Sequence, residues 1–302
     1  MAVDESRAAC RSRGSVRDVS TDLSRRPVLR PGLRVFRRDD THLQVGIEEP
    51  RVVLPDDDGV RRLLRDLENG AGLASLTPAA GLAFGRLVEA GLVVERSDLT
   101  TAARAARRVA TAAVFAAHGP AATVLLESRA RCRVDVDAPD PWRTTVADRL
   151  GVAGLVVADP AHGSPSATLL VTLGEPRRSR VDALVRDDLS HLLVALLPDR
   201  VRLGPFVVPG TTACLRCLDA HLAEHDPRRG LVLEQLEDRD DPPAPCDPVL
   251  AQAGLALAVR ELTTYAEGER PATWSTTLTL GADLALPRRE WPRHPHCGCT
   301  WG

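Results

Sequence analysis

Two cysteine pairs constrain this chain more tightly than any other feature. Cys214-Leu-Arg-Cys217 and Cys297-Gly-Cys299 each set two thiols at a spacing that turns both onto one tetrahedral ion. Together they complete a four-cysteine set with no open position, so the expected metal is a structural Zn2+ that pins the C-terminal segment to the middle of its domain. The pairs lie in Pro/Gly-rich loops rather than on apolar periodic faces, which sets them apart from small buried core residues. Gly298 is expected to remove side-chain bulk that a tight CxC turn has no room for. Cys10, Cys132 and Cys246 have no spaced partner, and an odd total of seven argues against a disulfide framework. Cys246 is read as an isolated loop thiol.

At 302 residues, 44% hydrophobic and 26% charged, with a net charge of −2, the chain falls in the globular class with room for about two domains. All 39 basic residues are Arg, and without Lys neither Schiff-base chemistry nor a P-loop phosphate grip is possible. No signal-type apolar run opens the sequence, and the longest apolar stretch, Thr111 to Leu126, is broken by His118, Gly119 and Pro120. A cytoplasmic protein that neither spans nor enters a membrane is expected.

Residues 1–30 have no sustained periodicity and read as a disordered tail. Residues 31–97 read as a winged helix. The runs LRVFRR, HLQVGI and RVVLP form a three-stranded meander, and Asp56 to Asp58 cap a helix whose face is Val60, Leu63, Leu64 and Leu67, stopped at Asn69-Gly70. A helix pair through LASLTP and PAAGLAFGRLVEAG follows, with Leu82, Leu87 and Val88 inward, and GLVVE closes the domain as a strand. DNA is not the expected partner. Between Arg34 and Arg96 the 9 Arg are outnumbered by 11 acids, and the would-be recognition helix offers only Arg86.

Residues 98–302 read as an α/β domain. Thr101 to Arg108 form an Arg-rich joining helix, and residues 109–137 are expected to fold as strand, turn, helix and strand, a dinucleotide-type βαβ unit ending on Asp135 and Asp137. Its turn departs from GxGxxG: Ala116, His118 and Ala121 stand at the glycine positions, so a pyrophosphate would meet an imidazole rather than bare backbone. ATP binding is therefore not expected. The segments GLVVADP and ATLLVTLGE continue the alternation, followed by RVDALVRDDLSHLLVALLP as a helix, a Pro/Asp-rich loop over 237–245, and a long buried helix over 247–267.

His221-Leu-Ala-Glu-His225 matches the HxxEH form of an inverted zinc-protease motif. The helix must stop at Asp226-Pro227, so His225 falls in its last turn and a surface helix is the expected outcome. A cytidine-deaminase reading of CxxC fails for want of an upstream HxE.

GPFVVPGTTACLRCLDAHLAEHDP, PPAPCDPVLAQAGLALAVRELT and the ending WPRHPHCGCTW resemble the ThiF-like (ubiquitin-activating-type) partner proteins of thiazole/oxazole-modified peptide pathways, over residues 33 to 302. That resemblance implies a winged helix that recognises the leader of a precursor peptide, a Rossmann-type domain with a structural four-cysteine zinc, and delivery of the peptide to a YcaO-type cyclodehydratase. It further implies that the leader adds as a strand along Arg51, Val52, Val53 and Leu54 and packs against the helix carrying Leu82, Arg86 and Leu87. A homodimer is compatible with this reading. An adenylating enzyme and a transcription regulator are the alternatives.

Overall fold

The computed structural model describes residues 26–73, 75–103, 108–159, 161, 163–237 and 245–299. The chain divides at 127/128 into two compact units. Cys10 and most of the 237–245 loop lie outside the described residues.

The first unit contains β1 (Pro27–Leu29), β2 (Val35–Arg37), β3 (His42–Val45), β4 (Val52–Pro55), α1 (Asp58–Asn69), α2 (Pro78–Glu89) and β5 (Val93–Glu95), then α3 (Arg96–Ala103) and α4 (Arg108–His118). β2, β3 and β4 form the antiparallel meander in that order. Asp57 caps α1 by accepting from the Gly59 and Val60 N–H groups, and Gly70 closes the helix at φ 65°. The expected face of Val60, Leu63, Leu64 and Leu67 is buried against Val45, Leu54, Phe84 and Leu87.

Several expectations for this region are corrected. The last residues of the supposed tail are not a tail: Pro27 to Leu29 are buried and pair antiparallel with β5. The GLVVE segment is a strand, as expected, and its partner is β1. Among the described residues of 73–90 there is one helix, α2, which starts at Pro78 with Thr77 as its cap. Leu82 does not face inward; it is 75% exposed, while Ala83, Phe84 and Leu87 fill the core. α3 and α4, assigned above to the second domain, fall in the first unit.

The chain passes through α5 (Ala122–Arg131) into the second unit. It comprises β6 (Arg133–Asp137), α6 (Trp142–Ala153), β7 (Val156–Val157), β8 (Ala167–Leu173), α7 (Arg178–Arg186), β9 (His191–Leu197), β10 (Arg200–Val207), α8 (Leu215–Ala223), α9 (Arg229–Glu237), α10 (Pro248–Ala266), β11 (Thr276–Gly281) and β12 (Arg288–Glu290). The mixed sheet runs β12-β11-β10-β9-β8-β6-β7, with β7, β6, β8 and β9 parallel. β8 and β9 are apolar on both faces, as strands covered on both sides must be. Leu169, Val171, Leu192 and Val194 face α6 and α10; Leu170 and Leu193 face α7 and α8.

Two sequence assignments change here. Residues 109–117 are helix (α4), so the expected βαβ unit does not form there. The parallel unit that does form is β6–α6–β7, one element further on. HLLVALL is not the second half of a helix but the central strand β9: α7 stops at Arg186, and Asp188 takes φ 55° to turn the chain.

Candidate metal centre and peptide-binding edge

The loop before α8 is fixed by short bonds. The Val208 N–H donates to Thr212 Oγ1 (2.8 Å), and the Ala213 N–H to Ser275 Oγ (3.0 Å). Cys214 is the N-cap of α8, and Cys217 sits in its first turn with its N–H on the Cys214 carbonyl (3.0 Å). Both sulfurs are thus held at the positive end of a helix, where thiolates are favoured. The second pair arrives on the segment after β12. Buried Trp291 anchors it through Nε1 to Thr277 Oγ1 (3.0 Å), and the Cys297 N–H donates to the His294 carbonyl (3.3 Å). Gly298 has φ 79°, and a Cβ there would meet nothing within 4 Å. Its role is conformational, not the relief of crowding expected from sequence.

The four Sγ atoms lie within 4.8 Å of one another. Cys214 and Cys217 are 3.8 Å apart, Cys217 and Cys299 3.5 Å, and Cys217 and Cys297 3.1 Å. Zn–S bonds of about 2.3 Å in a tetrahedron require S···S separations of about 3.8 Å, so the donor set fits such an ion once Cys297 and Cys299, 2.8 Å apart, open by about 1 Å and the other pairs by less. Cys217 is held down to about 4 because it accepts the Cys214 S–H, whereas that same bond and burial push Cys214 up. Burial and its bond to Cys299 push Cys297 up to about 12. Four thiolates cannot share this volume without a compensating dication.

Next to the cluster, Arg178 is 2% exposed and gives Nε and one terminal nitrogen to the two Asp219 oxygens (2.8 Å each). Glu175 bonds both Arg178 (2.9 Å) and Arg202 (2.8 Å). Burial opposes ionisation of Glu175, but the two guanidinium groups outweigh it and hold the carboxyl below its ordinary value. This network locks α7 to α8, the helix that carries the first thiol pair.

β4 is an edge of the meander. Val52 opposes Val45 and Leu54 opposes Leu43, and the Asp56 N–H donates to the Thr41 carbonyl (2.8 Å). Residues 52, 54 and 56 therefore bond to β3, and alternation turns the N–H and C=O of Val53 outward. Arg51 commits its N–H to Glu49 Oε2 (3.3 Å) and its Nε to Oε1 (3.0 Å), and Pro55 has no N–H. Val53 is half-buried, while Val52 and Leu54 are core residues. α2 packs against β4. On α2, Leu82 and Arg86 are exposed one turn apart, and Leu87 is 0% exposed.

The true βα turn, between β6 and α6, reads Ala138-Pro139-Asp140-Pro141 and contains no glycine. Two of its four residues lack an N–H, and Asp137 at the strand end is paired with Arg180 (2.7 Å). No helix among the described residues is long and apolar enough to cross a membrane.

No family model matches this sequence, and no curated protein matches it. Solved structures do. The heterocyclase TruD superposes with a TM-score of 0.68 at 19% identity, over 91% of this chain and 43% of that one. A heterocyclase in complex with substrate and cofactor gives a TM-score of 0.65 at 19% identity over 91% of this chain and 39% of that one. E. coli MccB with AMPCPP and MccA gives 0.60 at 12% identity, over 91% of this chain and 99% of that one. The chain thus shares a mixed α/β fold with these proteins while spanning less than half the length of the heterocyclase chains.

Proposed function

We propose that this protein binds the leader of a ribosomal precursor peptide and delivers it to a separate YcaO-type cyclodehydratase. The observation that carries this reading is the edge of β4 beside α2, unpaired among the described residues: the N–H and C=O of Val53 point outward, where an extended chain would pair with them, and α2 lies alongside. In this reading β1 through β5, residues 27–95, act as a winged-helix recognition domain. Arg51 to Leu54 are the receiving strand, Leu82 and Arg86 contact the leader, and Leu87 supports α2 from the core. The second unit, from residue 128 onward, forms a ThiF-like scaffold, with one structural zinc on Cys214, Cys217, Cys297 and Cys299. The chain shares its fold with a heterocyclase solved with substrate and cofactor and with MccB solved with AMPCPP and MccA.

The protein acts as a scaffold rather than an adenylating enzyme. A turn with two prolines and no glycine offers a nucleotide few backbone donors, and no lysine is present to neutralise its phosphates.

The test is fluorescence titration of the full chain with labelled leaders of precursor peptides encoded beside its gene. Val53→Pro removes the outward donor and is expected to weaken binding roughly ten-fold or more, about the worth of one well-made hydrogen bond plus lost strand geometry. Val53→Ala keeps the donor and is expected to stay within a few-fold of the native chain. Equal binding by the proline variant, or no binding of any such leader, overturns the reading.

A further inference from the structure

The HxxEH run lies at the end of a surface helix beside His294. We propose that His221 and Glu224, with His294 from the loop after β12, form a second divalent-metal site, exchangeable and distinct from the four cysteines. One ligand atom from each of the three lies within 4.8 Å of the other two. His294 Nε2 is 3.1 Å from Glu224 Oε1, and His221 Nδ1 is 4.0 Å from the same oxygen. Zn–N and Zn–O bonds near 2.0–2.1 Å place tetrahedral neighbours roughly 3.3 Å apart, so one separation already fits and the other closes by a side-chain rotation.

The surroundings orient these donors. His221 gives its Nε2–H to the Pro292 carbonyl (3.0 Å), which leaves the Nδ1 lone pair facing Glu224. A carbonyl holding the far nitrogen of a histidine is the usual outer partner of a metal ligand. His294 is 8% exposed and meets the His221 ring edge-on, with centroids 4.7 Å apart. Its Nδ1 accepts the His296 N–H (3.2 Å), so before metal entry the imidazole proton sits on Nε2 and is shared with Glu224. Metal entry moves that proton to Nδ1 and releases the His296 N–H. That rearrangement makes this site weaker than a tetrathiolate. Two imidazoles and one carboxylate leave a position for water and select a borderline dication such as Zn2+. His225, the motif's second histidine, takes no part: its Nδ1 bonds back to the His221 carbonyl (3.3 Å).

The experiment is metal titration of the full-length protein with Zn2+ against chelators of graded strength, paired with Co2+ substitution. Two equivalents are expected: one resistant to weak chelator, carrying thiolate-to-cobalt charge transfer, and one readily removed, adding only weak ligand-field bands. Glu224→Ala and His294→Gln should each abolish the second equivalent and leave the charge-transfer band at full intensity. His225→Ala should leave both. A native protein that takes up one equivalent, a second equivalent that survives both Glu224→Ala and His294→Gln, or its loss in His225→Ala overturns the proposal.

Discussion

His191 shows how much one buried side chain decides. It is 0% exposed at the start of β9 and bonds the Leu189 carbonyl through Nδ1 (2.8 Å). Burial pulls its pKa from 6.5 down to about 4. The folded protein therefore keeps the ring neutral where the unfolded chain binds a proton. This contribution to stability is complete above pH 6.5 and is lost as the pH falls toward 4, at up to about 1.4 kcal/mol per pH unit. Urea unfolding at pH 7 and pH 5 checks it: His191→Leu is expected to flatten this part of the acid dependence, and an unchanged slope would refute the assignment. Gly298 gives a second lesson at this scale. Its place in the CxC pair was legible from spacing, but the reason for it, a left-handed φ of 79°, was not.

Among the elements, α10 lies tight against the sheet. A Cβ on Gly254 would sit 2.6 Å from Val201 Cγ1 in β10, whereas one on Gly85 in α2 would meet nothing within 4 Å. Gly254→Ala is expected to destabilise the fold by ~1–3 kcal/mol through overpacking, and Gly85→Ala to stabilise it by up to ~1 kcal/mol through helix propensity. Thermal melts of the two variants should move in opposite directions. The elements with explicit punctuation were legible in the sequence: Asp57 and Gly70 bound α1, and Asp247 caps α10. The misplaced βαβ unit had a physical cause. Residues 109–117 hold five alanines, a helix-favouring composition that the apolar run masked. The unit that formed lacked the glycine turn by which such units are found. Leu82 was misjudged because α2 is apolar on several faces, so periodicity did not select the buried one.

In the second unit, side-chain ties join segments that are far apart in the sequence. Arg129 reaches from α5 to Glu267 through Nε (2.9 Å) and to the Ala153 carbonyl (3.2 Å), joining the ends of three helices. The sulfur cluster ties the segment after β12 to the start of α8. Cys297→Ser should lower bound metal and destabilise this unit by ~2–5 kcal/mol, the range for loss of a native cross-link. Amide spectra should still report the β2–β4 meander intact. A variant with native metal content and an unchanged melting temperature would defeat this. The same convergence has a consequence in time. Cys217 and Cys297 stand 80 residues apart. At ribosomal speeds of about 5–20 residues per second, the first thiol pair waits roughly 4–16 seconds for its partners to be synthesised. During that interval it is open to oxidants and to stray ions, so the yield of correctly assembled protein should depend on the redox state and metal supply of the cell while translation is under way.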